Sequence, residues 1–308
     1  MIVVVCPGQG SQTPGFLTPW LELDGFRASI DAQQAASGID LVAHGTVSDA
    51  DTIRDTAVAQ PLIVAAGVAT LAELIGGTGL ADAGIAGVAG HSVGEITAAV
   101  AAGVFTQEQG IQFVRERGNA MAKAAALEAT SMAAILGGDQ SVVESRLAEL
   151  RLEPANYNGG GQIVAAGSAA AIATLQAEPP AGARVIPLQV AGAFHTRYMA
   201  PAVAALDSYS QGLEVANPSV KLWSNNGGRL VANGSDFVAL LVSQVKSPVR
   251  WDLTMAALIE AGVTAVIEVA PAGTLVGLAK RSMPGVETLA IKTPDQLDAA
   301  RALIANHA

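Results

Sequence analysis

The chain has 308 residues, 51% apolar and only 14% charged, which excludes a disordered chain and suffices for one large domain, or one with an insertion. A net charge of −10 argues against nucleic acid or an acidic membrane surface as partner. The single cysteine, Cys6, excludes an intrachain disulfide and a multi-cysteine metal site.

IVVVC followed by Pro7-Gly8 reads as a buried strand running into a glycine loop, PGQGSQ. This apolar run has no basic flank and is too short for a signal peptide, so a cytoplasmic protein is expected. His44 falls in a polar, loop-like stretch. AVAQPLIVAAGVATLAELI reads as a buried helix with Pro61 near its start. The mean hydropathy of +0.40 raises the question of a membrane span. This most apolar stretch is rich in alanine and carries Glu73, whereas a span needs roughly 20 strongly apolar residues, so no membrane partner is expected. AGIAGVAG is a short strand, SVGEITAAVAAGVF a helix starting at Ser92, and TQEQGIQFVRERGNAMAKAAA a helix capped by Thr106.

The middle of the chain gives a strand (SMAAILGG), a helix (DQSVVESRLAELR) and two strands (EPANYN, GQIVAAGS) meeting at Gly159-Gly160-Gly161. A helix (AAAIATLQAE) and a final strand (RVIPLQVAG) follow. The order βαββαβ is that of a ferredoxin-like subdomain, placed at 127–193. After it come a helix (TRYMAPAVAALDSYSQGL), a strand (VKLWSN) and GSDFVALLVSQVKSPVRWDLTMAALIEAG, helical in two pieces split at Pro248. The strand VTAVIEVAP, the helix GTLVGLAKRSM and the closing strand VETLAI complete the pattern. Alternating strands and helices in 1–126 and 194–308 indicate an α/β core with a mostly parallel sheet, interrupted by the insert.

Gly90-His91-Ser92-Val93-Gly94 fits G-x-S-x-G between a strand and a helix, the setting of a nucleophile on a tight turn. The N–H of Val93, at the helix start, can face a developing oxyanion. The alternative is Ser92 as an N-cap, with Glu95 completing a capping box. Of the four histidines, His195 follows a strand end, where α/β folds place functional groups, and is the leading base. His91 adjoins the serine but points elsewhere on such a turn, and His307 lies at the terminus. No acid between Ser92 and His195 stands at the end of a buried strand, so a dyad oriented by a backbone carbonyl fits better than a triad. PGQGSQ lacks a P-loop lysine; its N–H groups suit an oxyanion hole. Arg115 and Arg117 flank the apolar stripe of their helix on opposite sides, and periodicity does not choose between them as the partner of a substrate carboxylate.

PGQGSQ, VAQP, GHSVGE, RGNAM, ANYNGGGQIVAAG, GAFH and SQVKSPVRW, in this order, resemble the malonyl-CoA:acyl carrier protein transacylases of bacterial fatty-acid synthesis over essentially the whole chain. The resemblance implies an α/β-hydrolase-like core with a ferredoxin-like insert. It makes Ser92 the nucleophile, His195 its base, and the N–H groups of Gln9 and Val93 the oxyanion hole. It selects Arg117 for the malonyl carboxylate and the backbone carbonyl of Gln244 to orient His195. Gln60, His91, Asn156 and Asn158 become pocket residues, and Phe194 resembles the malonyl version of its motif. Two departures occur: Cys6 replaces a bulkier aromatic, and Ala270-Pro271-Ala272-Gly273 replaces a Gly-Pro-Gly turn.

The implied substrate is malonyl-CoA, the acceptor is the phosphopantetheine thiol of acyl carrier protein, a transient partner, and no metal or other cofactor is called for. A monomer is expected. Lys123, Arg197, Arg250, Lys280 and Arg281 are candidate cations for the acidic carrier. The alternatives are a serine esterase or thioesterase, which shares the GHSVG turn, an acyltransferase of a polyketide pathway, and a non-catalytic carrier-binding module.

Overall fold

The computed structural model describes residues 1–190 and 192–307. The expected strand RVIPLQVAG thus includes one residue, Ala191, outside the described residues. In chain order the first part comprises β1 (Ile2–Cys6), α1 (Asp24–Ser37), α2 (Leu41–Thr46), α3 (Thr56–Ile75), β2 (Ile85–Gly90), α4 (Gly94–Ala101) and α5 (Gln107–Ala125). The middle comprises β3 (Thr130–Gly137), α6 (Gln140–Glu149), β4 (Glu153–Gly159), β5 (Gln162–Ser168), α7 (Ala169–Ala177) and β6 (Ala183–Leu188). The last part comprises α8 (Ala200–Ser210), β7 (Lys221–Trp223), α9 (Gly234–Gln244), β8 (Val249–Arg250), α10 (Trp251–Glu260), β9 (Ala265–Glu268), α11 (Thr274–Ser282), β10 (Glu287–Ala290) and α12 (Leu297–His307).

The fold is α/β. One sheet, ordered β10-β9-β1-β2-β7, is parallel throughout. β1 lies at its centre, and all five of its residues are buried, as a parallel strand covered on both faces requires. Its side chains alternate between two cores: Ile2, Val4 and Cys6 face the one built on α1, α3, α4 and α5, while Val3 and Val5 face Trp251, Met255, Leu258 and Leu275. The β1–β2 register sets Cys6 beside Gly90. The loops that leave these two strands, PGQGSQ and GHSVG, therefore emerge side by side at the carboxyl edge of the sheet, where open α/β sheets carry their ligand sites.

α3 is long and apolar enough to cross a membrane, yet 78% of its most apolar window is buried inside the protein. It packs on α5, and Gly118 makes that approach possible: a Cβ there would lie 3.0 Å from the Thr56 carbonyl oxygen.

The second sheet runs β6-β3-β5-β4-β8, with β3 to β6 antiparallel. α6 and α7 cover one of its faces through Val143, Leu147, Ile172 and Leu175. From the other face Met132, Val164 and Ala166 join the main core. β8 belongs to a segment far along the chain. It pairs parallel with β4 at Asn156↔Val249 and Tyr157↔Arg250, between the two helices expected on either side of Pro248. Two residues are too few for any periodicity to announce this strand. α1, α2 and α12 likewise have no counterpart in the sequence reading.

Candidate active site

The turn between β2 and α4 consists of His91, Ser92 and Val93. Ser92 has φ 53°, in the left-handed region that L-residues seldom occupy. The two flanking glycines explain how the chain reverses so tightly. A Cβ on Gly90 would sit 2.1 Å from the Gly94 carbonyl carbon, and one on Gly94 would sit 2.1 Å from the Cys6 carbonyl oxygen. Backbone packs directly on backbone at both positions. The helix starts at Gly94 rather than at Ser92, with Val93 as N-cap and no side-chain cap. The capping-box alternative for Ser92 and Glu95 therefore does not form.

The strained turn points the Ser92 Oγ at His195, 2.7 Å from Nε2. His195 is itself in the left-handed region, with φ 62°. Its N–H donates to the Val245 carbonyl, and its Nδ1 lies 2.9 Å from the Gln244 carbonyl oxygen. A carbonyl only accepts, so Nδ1 carries the ring proton and Nε2 is left as the acceptor for the Ser92 hydroxyl. Burial, reinforced by the Arg117 charge, pushes the imidazole down to about 3. The ring is therefore neutral at physiological pH, the state a general base needs. A main-chain carbonyl stands where a triad would have its carboxylate.

Arg117 and Arg115 are separated by the fold. Arg115 turns outward to an ion pair with Glu116 at 2.8 Å. Arg117 is fully buried. One terminal nitrogen donates to Gln60 Oε1 at 2.6 Å, the other to Gln244 Oε1 at 2.8 Å, and the latter is also 3.4 Å from Ser92 Oγ. Its Nε has no partner among the described residues. Burial lowers the guanidinium to about 10, which leaves it a cation. A buried cation held by two neutral amide oxygens, beside a nucleophile, has unused capacity for an anion.

Gln9, Gln60, His91, Val93, Asn156 and Phe194 line one cleft together with Ser92 and His195. Among the described residues the backbone N–H groups of Gln9 and Val93 make no hydrogen bond. The Gln9 loop approaches closely because residue 8 is glycine: a Cβ there would lie 2.9 Å from the His91 carbonyl oxygen. Asn158 stands behind the cleft, its Oδ1 3.0 Å from His91 Nε2, and the Trp251 ring packs edge-on against that imidazole. The remaining histidines are engaged elsewhere. His44 lies on helix α2, not in a loop, with Nδ1 3.1 Å from Ser48 Oγ. His307 contacts Thr264 and Glu287. Among the described residues no three His, Cys, Asp or Glu groups are placed to hold a metal ion.

Sequence reasoning missed Asn225. Its Oδ1 accepts the Ser92 N–H at 2.8 Å, its Nδ2 donates to the Gly90 carbonyl at 2.7 Å, and its own N–H donates to Glu95 Oε1 at 2.5 Å. One side chain thus fastens the start of the serine turn on either side of His91. The only signal was an asparagine following the short strand β7, which lies next to β2. Of the candidate docking cations, Arg197 is paired with Glu153 and Arg250 with Asp252, whereas Lys123 and Lys280 are exposed.

The acyl transferase domain model matches residues 3–295. The malonyl CoA-acyl carrier protein transacylase of Mycobacterium tuberculosis H37Rv is 49% identical over 298 residues, covering 97% of this chain and 98% of that protein. The crystal structure of MCAT from Mycobacterium tuberculosis superposes with a TM-score of 0.94 at 48% identity, over 98% of this chain and 99% of the other. A malonyl-transacylase solved in complex with a type II polyketide synthase acyl-carrier protein superposes with a TM-score of 0.89 at 28% identity, over 98% and 99% of the two chains. Matched along nearly its whole length by model, relative and structure, this chain belongs to the acyl transferase domain family, as a member of its malonyl CoA-acyl carrier protein transacylases.

Proposed function

We propose that this acyltransferase moves malonyl from malonyl-CoA to the phosphopantetheine thiol of acyl carrier protein through a malonyl ester on Ser92. The observation that carries the reading is the convergence on one oxygen: Ser92 Oγ lies 2.7 Å from a neutral His195 Nε2 and 3.4 Å from the buried Arg117 cation. Arg117 takes the malonyl carboxylate, which sets the thioester carbonyl against Ser92. The hydroxyl proton passes to His195 Nε2 as Oγ bonds to the carbonyl carbon. The oxyanion rests on the N–H groups of Gln9 and Val93, which are free to receive it. Collapse breaks the carbon–sulfur bond, and the proton on Nε2 leaves with the coenzyme A sulfur. The carrier thiol then gives its proton to Nε2, attacks the ester, and returns Ser92 to its hydroxyl form.

The first half-reaction turns a thioester into an ester and the second turns the ester back into a thioester, with no change of redox state, and His195 activates the nucleophile in each. The chemistry needs neither a metal nor an organic cofactor. The strand order β6-β3-β5-β4 and the antiparallel pairing support reading 127–193 as a ferredoxin-like insert in an α/β-hydrolase-like core of 1–126 and 194–308. Phe194 and Asn156, one from each side of that division, close the cleft around the acyl group. The test is incubation with malonyl-CoA and holo-carrier protein. Malonyl-carrier is the expected product; free malonate as the main product would make the enzyme a thioesterase instead.

A further inference from the structure

Glu95 is a buried ionisable group that the proposed reaction leaves unused, and it lies beside the site. It sits on α4, one turn from the nucleophile, and is 1% exposed. One carboxylate oxygen accepts the Asn225 N–H at 2.5 Å and the other accepts from Gln244 Nε2. The same Gln244 amide nitrogen lies 3.2 Å from the Ser92 carbonyl oxygen, while the amide oxygen accepts from Arg117 at 2.8 Å.

The chemistry of that amide carries the argument. Glu95 and the Ser92 carbonyl are acceptors, so the amide NH2 must face them. This leaves only the oxygen to face Arg117, and Arg117 is a donor only. A flipped amide would set NH2 against guanidinium on one side and oxygen against carboxylate on the other. Both contacts repel, and more strongly among buried groups than in water. Glu95 therefore fixes the hand of Gln244, and Gln244 fixes the guanidinium. In its ionised form Glu95 also partly balances the charge of Arg117 without touching it, since among the described residues no carboxylate bonds to Arg117 directly. A direct ion pair would occupy the nitrogens that the incoming carboxylate needs; an amide interposed between acid and base holds the arginine and leaves it available.

We infer that Glu95 is a positioning residue for acyl-group selection, acting through the Gln244 side chain to hold Arg117 in the pose that receives a substrate carboxylate. The inference rests on the proposed role of Arg117 and extends it to two groups behind it. Gln244 thereby serves twice, its carbonyl on the base and its side chain on the selector. Burial pushes the Glu95 carboxyl up to about 7, against the pull of the donors on its oxygens and of the Arg117 charge, which favour the ionised form.

The test compares acylation by malonyl-CoA and by acetyl-CoA in wild type, Glu95→Gln, Arg117→Ala and the double variant, with Gln244→Ala as a second route to the same link. Glu95→Gln presents an NH2 to one of two donors, so the Gln244 amide loses its fixed hand. We expect the malonyl-to-acetyl ratio of kcat/KM to fall about tenfold, chiefly through KM for malonyl-CoA, as loss of a charge-assisted hydrogen bond predicts. Gln244→Ala should lower the same ratio with Glu95 intact. In the Arg117→Ala background, Glu95→Gln should leave the ratio unchanged, because its route of action is gone.

A merely structural role would slow both acyl groups alike and leave the ratio at its wild-type value; that result in both Glu95→Gln and Gln244→Ala overturns the inference. So does a Glu95→Gln effect on the ratio that persists undiminished without Arg117. If Arg117→Ala itself leaves the ratio unchanged, the proposed role of Arg117 has failed, an outcome separate from failure of the Glu95 link.

Discussion

Arg117→Ala isolates what distinguishes a malonyl transferase from any other serine acyltransferase. The guanidinium is fully buried, and its two engaged nitrogens bond to neutral oxygens, so a malonyl carboxylate would be its first direct anionic partner. Removing one member of such a desolvated pair costs about 3–5 kcal/mol. At 1.36 kcal/mol per tenfold, kcat/KM for malonyl-CoA should fall by a factor of a hundred or more. Acetyl-CoA carries no carboxylate and loses only packing around Ser92, so its rate should change by less than about tenfold. Arg117→Lys should fall between, because one ammonium cannot serve both amide oxygens and the substrate with the fork geometry of arginine. The assay is single-turnover formation of acyl-enzyme with each thioester, at a temperature where the variants are folded. Equal losses for the two substrates would refute the carboxylate role and leave Arg117 as a structural cation.

Asn225→Ala should lower kcat by about 10- to 100-fold with little change in KM, since it frees the Gly90 carbonyl and the Ser92 N–H at the start of the serine turn without touching the cleft; an unchanged kcat would contradict the clasp. The His195 ring should stay neutral, with the proton on Nδ1, when followed by NMR from pH 8 down to about 4, because its folded value lies near 3 against an ordinary 6.5. A depressed value means that this group favours folding fully above pH 6.5 and that its contribution is lost as pH falls toward 3; protonation near 6.5 in the folded enzyme would contradict the burial argument. Glu268→Ala should destabilise the protein by about 3 kcal/mol or more in denaturant titration, leaving kcat intact, because the carboxylate caps the start of α11 by accepting the N–H groups of Gly273, Leu275 and Val276.

How much of this was legible follows the range of the interactions. G-x-S-x-G lies within five residues, and the steric demand for both glycines is local, so the sequence displays the turn directly. The parallel sheet is legible because β1, β2 and β9 are short buried runs bounded by glycine and proline. What the chain does not display is the meeting of distant segments. Arg115 and Arg117 are equivalent by helical periodicity, and only the close approach of α5 to α3 at Gly118, which sets Gln60 beside Arg117, separates them. Asn225 reaches Ser92 across 133 residues, and nothing near it in sequence marks it for that contact. β8 exists because a two-residue segment completes the edge of a sheet built elsewhere. Glu95 reads as an ordinary first-turn acid, and its burial beneath Gln244 is a property of the packed molecule.

The mechanism requires a covalent malonyl–Ser92 intermediate. The protein is incubated with malonyl-CoA without acceptor, quenched in acid, measured by intact mass and mapped by peptide fragmentation. One malonyl group on Ser92 is the expected result, absent from Ser92→Ala and discharged when holo-carrier protein is added before the quench. A malonyl adduct that persists in Ser92→Ala, or wild-type turnover with no adduct at any time, would contradict the mechanism.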